Sequence, residues 1–193
     1  YEETTPIQEK TMPHILAGKD VLGLAETGSG KTSACAIPLV SVVDVENRNV
    51  QALILVPTRE LALQYVQEVD EVAKHSEVVP FAVFGGFDMD IQKAKLKHGV
   101  HVLVATPGRL IDLIWNHRLD LTQVKTVVLD EADEMLKMGF IDDVDFIMSC
   151  MIQEHQTLLF SATMPKEIGR LTQQYQKDPV RVELNNEQRA PQS

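Results

Sequence analysis

Six short, β-branched apolar runs, each followed by a polar or glycine-containing turn and then by a segment of helical periodicity, leave this chain few folds to adopt. The runs are Asp20–Ala25, Ala52–Val56, Val78–Phe84, His101–Ala105, Thr126–Leu129 and Thr157–Phe160. Strands that alternate with helices build βαβ units, and these units imply a mostly parallel sheet with helices on both faces. Right-handed crossovers then align every turn that follows a strand along one edge of the sheet. Ligands of such open sheets bind outside the carboxyl ends of the strands, so the chemistry of this chain should sit in those turns. No internal repeat and no low-complexity tract interrupts the pattern.

A length of 193 residues with 44% hydrophobic content suits one globular domain, expected over residues 1–184. Residues 185–193 are polar and read as the start of a linker. With Tyr1 in place of an initial methionine, both ends look cut from something longer. The acidic N-terminus has no apolar signal region, and the apolar runs are strand-length and far short of a membrane span, so no membrane association is expected. Cys35 and Cys150 are too few for a disulfide framework and lack a further Cys or His at ligand spacing. Reduced core thiols and an intracellular, cytoplasmic compartment are the expectation. A formal charge of −10 argues against binding nucleic acid by bulk charge. The objection weakens if phosphates are held by backbone N–H groups and helix N-termini.

The turn after the first run is Ala25-Glu26-Thr27-Gly28-Ser29-Gly30-Lys31-Thr32, a phosphate-loop pattern with Ala25 in place of the first glycine. Gly28 and Gly30 let the backbone of Thr27 to Gly30 turn its N–H groups toward phosphates. Lys31 reaches the β and γ groups, and the Thr32 hydroxyl can ligate Mg²⁺. Because Lys31 carries a charge directed at phosphates, its removal is expected to spare the fold. The fifth run ends in Asp130-Glu131-Ala132-Asp133, three carboxylates within four residues at the end of a buried strand. Left uncompensated, such clustering is costly. A divalent cation offsets it, with Asp130 as the second Mg²⁺ holder and Glu131 placed to orient or deprotonate a water. Taken alone, the acids could equally be a solvated helix start.

These residues resemble the DEAD-box RNA helicases of superfamily 2, through nearly the whole chain. Pro6-Ile7-Gln8, Ala25 to Thr32, Pro57-Thr58-Arg59-Glu60-Leu61, Gly85-Gly86, Thr106-Pro107-Gly108-Arg109, Asp130 to Asp133 and Ser161-Ala162-Thr163 stand in the family's order. The resemblance implies a RecA-like phosphate-loop NTPase domain that uses ATP and Mg²⁺, with catalysis by Lys31, Asp130 and Glu131. It also implies that Gln8 reads adenine, and a carboxamide does offer the donor and acceptor that N7 and N6–H₂ require. Thr58, Arg59, Gly85, Gly86, Thr106, Gly108 and Arg109 are implied as the RNA-backbone surface, with little sequence preference. Thr106 and Pro107 also suit an ordinary helix start, Thr as cap and Pro in the first turn. Asp133, Ser161 and Thr163 are implied to link hydrolysis to strand separation, through hydroxyl hydrogen bonds to the acidic strand end. The family's second RecA-like domain, with its transition-state arginines, has no counterpart after Thr163, so this chain is expected to hydrolyse ATP very poorly. Protein cofactors are a further implied partner. An ATP-gated clamp and a DNA-directed motor stand as rival readings.

Other residues are expected to be inert. The six histidines, His98 and His101 included, read as solvated surface groups. Met135, Leu136, Met138 and Phe140 read as core packing, and Trp115 has no assignable role.

Overall fold

In the computed structural model, which describes residues 6–26 and 30–183, the elements alternate as anticipated. They are α1 (Pro6–Leu16), β1 (Val21–Leu24), α2 (Lys31–Ser41), β2 (Ala52–Leu55), α3 (Arg59–Val72), β3 (Pro80–Val83), α4 (Met89–His98), β4 (Val102–Ala105), α5 (Pro107–His117), β5 (Thr126–Leu129), α6 (Ala132–Lys137), α7 (Ile141–Ser149), β6 (Gln156–Ser161), α8 (Lys166–Tyr175) and β7 (Val180–Glu183). The strands form one sheet in the order β3-β4-β2-β5-β6-β1-β7, and every pairing is parallel. The α/β class with a parallel sheet covered by helices on both faces is therefore the observed architecture.

The two-residue period of a strand explains why both faces are covered. Val21, Ile54, Val104, Val128 and Phe160 point to one side, where Leu39 of α2 and Leu61 and Val69 of α3 meet them. Leu22, Leu53, Leu103, Leu129 and Leu159 point to the other side, against Leu113 of α5, Val144 of α7 and Leu171 of α8. A sheet buried on both faces needs continuous apolar strands, and β1, β2, β4 and β5 are fully buried along their length.

Three expectations are corrected here. Strand β7 was not among the anticipated runs, because at the sheet edge only Val182 of its four residues is buried and the others are polar or half-exposed. His101 is not a surface group: it is 4% exposed, its Nδ1 accepts from the Val79 N–H at 2.9 Å, and its Nε2 donates to the Val45 carbonyl at 3.2 Å. The imidazole thus closes the entry to β4, where two backbone groups need partners. Met138 is 49% exposed, whereas Met135 is buried and Leu136 and Phe140 pack against the core. Trp115 is exposed and stacks on Phe146 with centroids 5.7 Å apart.

Gly23 lies opposite Phe160 in the β1–β6 pairing, and a Cβ at this position would stand 2.4 Å from the Phe160 ring. The ring is wholly buried, so the clash has no easy relief. Gly23→Ala is expected to lower stability by about 1–3 kcal/mol in urea unfolding, with partial recovery when Phe160 is also shortened to Leu.

Candidate nucleotide and nucleic-acid site

Parallel order places all the turns after strands on one edge, and the sheet order sorts them into two contiguous groups. Strands β5, β6 and β1 are neighbours, and their ends carry Asp130 to Asp133, Ser161 to Thr163 and Ala25 to Lys31. Strands β3, β4 and β2 are neighbours on the other side, and their ends carry Gly85-Gly86, Thr106 to Arg109 and Thr58-Arg59. The expected phosphate residues and the expected RNA residues, interleaved along the chain, are thus separated in space.

In the first group, α2 starts at Lys31 after Gly30, whose φ of 88° is a left-handed conformation that favours glycine. Ala25 continues the strand edge by donating its N–H to the Ser161 carbonyl at 3.2 Å. Thr27, Gly28 and Ser29 lie outside the described residues. Lys31 Nζ stands 3.1 Å from Asp130 Oδ1, with side chains 4% and 0% exposed. The same oxygen accepts the Glu131 N–H at 2.7 Å, and Oδ2 accepts the hydroxyl of Tyr65 at 2.5 Å. Burial pushes the Tyr65 pKa up and the Asp130 charge pushes it further, so the phenol keeps the proton it donates. Burial likewise raises the Cys35 thiol beside it. Tyr65 was not among the anticipated residues. Its signal was present: it shares the buried stripe Leu61, Ala62, Tyr65 and Val69 of α3, and a buried tyrosine hydroxyl needs a partner.

Thr32 is half-buried next to Lys31, and Glu131 is half-buried at a φ of 51°, where a non-glycine residue is strained by about 1–3 kcal/mol. That twist lies at the start of α6, where Glu131 is the N-cap residue. Asp133, 4% exposed, accepts from the Thr163 hydroxyl at 2.9 Å and its N–H at 3.1 Å. Ser161 does not share this bond, contrary to expectation. Its hydroxyl donates to the Thr163 carbonyl at 2.6 Å and fixes the turn that presents Thr163. Gln8 is buried on α1, and its Nε2 faces the Gly30 carbonyl at 3.4 Å, so α1 is tied to the end of the phosphate loop.

In the second group, Thr58 caps α3, its hydroxyl oxygen accepting from the Leu61 N–H at 3.2 Å. Exposed Arg59 lies over the Phe84 ring at 5.0 Å. Arg109 Nη1 donates to the Phe87 carbonyl at 3.1 Å and stands 3.4 Å from Gln92 Oε1, while Gln92 Nε2 donates to the Phe84 carbonyl at 3.2 Å. The loop with exposed Gly85 and Gly86 is therefore pinned from both ends. Thr106 precedes α5 with Pro107 in the first turn but makes no side-chain cap bond, so its hydroxyl is not spent on the helix. Gly108 is exposed in that same first turn.

Fold and edge together define a nucleotide-binding α/β domain in which Lys31, at the start of α2, meets an acidic strand end. A family model for the DEAD/DEAH box helicase matches residues 5–171, and the chain belongs to that family. It is 50% identical over 184 residues to the ATP-dependent RNA helicase CshA of Limosilactobacillus reuteri, covering 95% of this chain and 37% of the relative. It is 48% identical over 187 residues to the ATP-dependent RNA helicase DeaD of Klebsiella pneumoniae, covering 96% and 29%. Among solved structures, a DEAD-box protein from the hyperthermophile Methanococcus jannaschii superposes with a TM-score of 0.92 at 40% identity, covering 98% of this chain and 52% of that one. The chain thus spans only about a third of the length of these two curated relatives, 37% of one and 29% of the other.

The buried Lys31–Asp130 pair revises one expectation. Removing Lys31 leaves a carboxylate buried without its countercharge, and breaking such a pair costs about 3–5 kcal/mol. Lys31→Ala is expected to lower the unfolding free energy by that order, and adding Asp130→Asn is expected to restore most of it. Equal stability of wild type and Lys31→Ala would show that the pair contributes nothing to the fold.

Proposed function

We propose that this chain is the ATP-binding domain of an ATP-dependent RNA helicase, holding Mg²⁺-ATP on one half of its sheet edge and an RNA backbone on the other. The observation that carries the reading is the sorting of the strand ends: Lys31, Asp130 and Glu131 converge on one side, and Thr58, Arg59, Gly85, Gly86, Thr106, Gly108 and Arg109 on the other.

The donors suit a hard cation. Thr32 and Asp130 offer oxygen only, and among the described residues no group of three His, Cys, Asp or Glu could hold a metal unaided. Mg²⁺ is commonly held in this way, by one or two carboxylates together with substrate phosphates. When bound, the ion would neutralise charge on the β and γ phosphoryl oxygens. Lys31, at the start of α2, is positioned to hold the same phosphates, together with the backbone N–H groups of the helix N-terminus. Glu131, held at the strand end and half-exposed, orients the attacking water and takes its proton. Gln8 selects adenine while its amide secures the loop end. Asp133 binds Thr163 and thereby joins the acidic strand end to the β6 turn, the link by which hydrolysis is transmitted to RNA.

A second RecA-like domain would bring the arginines that stabilise the transferring phosphoryl group, an effect worth about 10³–10⁵ in rate. By itself the chain should bind adenine nucleotide and turn it over very slowly. Protein cofactors, and a cytoplasmic place of action consistent with the unpaired Cys35 and Cys150, complete the proposal.

In a protein carrying both RecA-like domains, Glu131→Gln is expected to keep ATP and RNA binding within a few-fold while hydrolysis falls by at least ~10²-fold, measured by steady-state phosphate release. Turnover near the wild-type rate would remove Glu131 from the role of base. Gln8→Ala is expected to weaken ATP and narrow the ATP-over-GTP preference by about 1–3 kcal/mol in competition binding. Unchanged discrimination would show that adenine is read by another group.

A further inference from the structure

Helix α3 belongs to both halves of the sheet edge. It starts with Thr58 and Arg59 after β2, and two turns later Tyr65 leaves that half and ends on Asp130 at the tip of the adjacent β5. The contact joins residues 65 positions apart in sequence, at 2.5 Å between two side chains that are both 0% exposed. Asp130 Oδ1 is already shared by the Lys31 ammonium and the Glu131 N–H. Among the described residues, the Tyr65 hydroxyl is the donor to Oδ2. The three donors therefore fix the carboxylate plane.

These donors differ in stiffness. Lys31 ends a flexible four-carbon stem, and a peptide N–H on the neighbouring residue moves with Asp130 itself. Tyr65 has two side-chain torsions, and its ring is wedged in the core among the residues that α3 and α2 bury. The two helices are further joined by Ser33, whose hydroxyl donates to Glu68 Oε2 at 2.9 Å. Core packing alone would be served equally well by phenylalanine. The hydroxyl adds only the bond to the carboxylate and its neighbourhood to Cys35.

We propose that Tyr65 is a positioning residue for the metal-binding carboxylate, its hydroxyl holding Asp130 Oδ2 so that the carboxylate meets Mg²⁺ in one orientation. The inference rests on the reading of Asp130 as a Mg²⁺ holder. Groups that orient a metal ligand through hydrogen bonds commonly change metal affinity by about 10–100-fold when removed. Tyr65 acts through Asp130 and touches neither nucleotide nor RNA.

The test is a titration of the chain with a fluorescent ADP analogue, at a series of Mg²⁺ concentrations and in EDTA, for wild type and Tyr65→Phe. The expected result is a rise of about tenfold in the Mg²⁺ concentration giving half-maximal binding, with affinity in EDTA unchanged within twofold. A loss of affinity that is equal with and without Mg²⁺, or no change in either, overturns the proposal, because a packing role would move both together. Wild type that binds nucleotide with no dependence on Mg²⁺ removes the metal assignment of Asp130 and this inference with it. Should Tyr65→Phe fail to fold, the Tyr65→Phe/Asp130→Asn variant decides. Recovery of the fold on removing the buried charge supports the coupling, and failure of both variants overturns the proposal, because the fold then needs the hydroxyl for something other than Asp130.

Discussion

A carboxylate with no exposure to water at the end of a buried strand is the constraint around which this domain is arranged. Asp130 cannot stand alone there, because an unpaired buried charge costs several kcal/mol, and each element that meets it does so to satisfy it. Lys31 comes from the start of α2, Tyr65 from the second turn of α3, and the Glu131 N–H from a backbone twisted to positive φ. A pair of this kind is a poor source of net stability, since hydrophobic replacements of similar volume often serve the fold as well. What it supplies is position. The start of α2, the α3 helix and the Glu131 backbone are brought within hydrogen-bond distance of a single side chain.

Strand order then turns this local knot into a division of labour. The chain visits the edge from alternating directions: β1 lies beside β6, whereas β2 lies between β4 and β5. The residues proposed to handle phosphate and those proposed to face RNA are therefore mixed in sequence and unmixed in space, with the boundary between β2 and β5. Tyr65 crosses that boundary on one side of the sheet. On the other side of Asp130, the Asp133–Thr163 bond joins the end of β5 to the turn after β6 within the half proposed to bind nucleotide. The two contacts leave the acidic segment held from both neighbours, which is the arrangement a movement at either end needs in order to be felt at the other.

How much of this was legible in the residues depended on whether a feature was local. Six strands, the parallel class and the edge that carries the chemistry follow from runs such as Ala52–Val56 and Thr126–Leu129, whose unbroken apolar character already states burial on both faces. Strand β7 was not legible, because an edge strand with Val182 as its one buried residue has no run to show. His101 was misread because a lone histidine carries no mark of the two backbone groups it meets, Val79 from the neighbouring β3 side and Val45 from a loop far away. Lys31 was taken as a charge directed at phosphates, and only the 3.1 Å approach of Asp130 shows that it is also a buried partner. The Thr163 bond was foreseen and that of Ser161 was not, since two positions along a turn decide which hydroxyl faces the acids.

The acidity of the whole chain, −10 with 28 acidic against 18 basic residues, is compatible with two phosphate-bearing ligands for a geometric reason. Helices α2, α3 and α5 all begin at the same sheet edge, directly after β1, β2 and β4, so their N-termini and unpaired N–H groups point outward there. Helix α2 opens on Gly30 without a side-chain cap, and α5 opens on Thr106 and Pro107 with no cap bond either, which leaves the first-turn N–H groups to a phosphate oxygen. The α3 start is capped by Thr58 and instead offers Arg59, steadied over Phe84. The favourable charge this edge can offer a phosphate thus comes from helix N-termini and two placed guanidinium groups, Arg59 and Arg109. Net charge counts side chains over the whole surface and is blind to it, and contacts made by backbone groups read the spacing of phosphates and not the identity of bases.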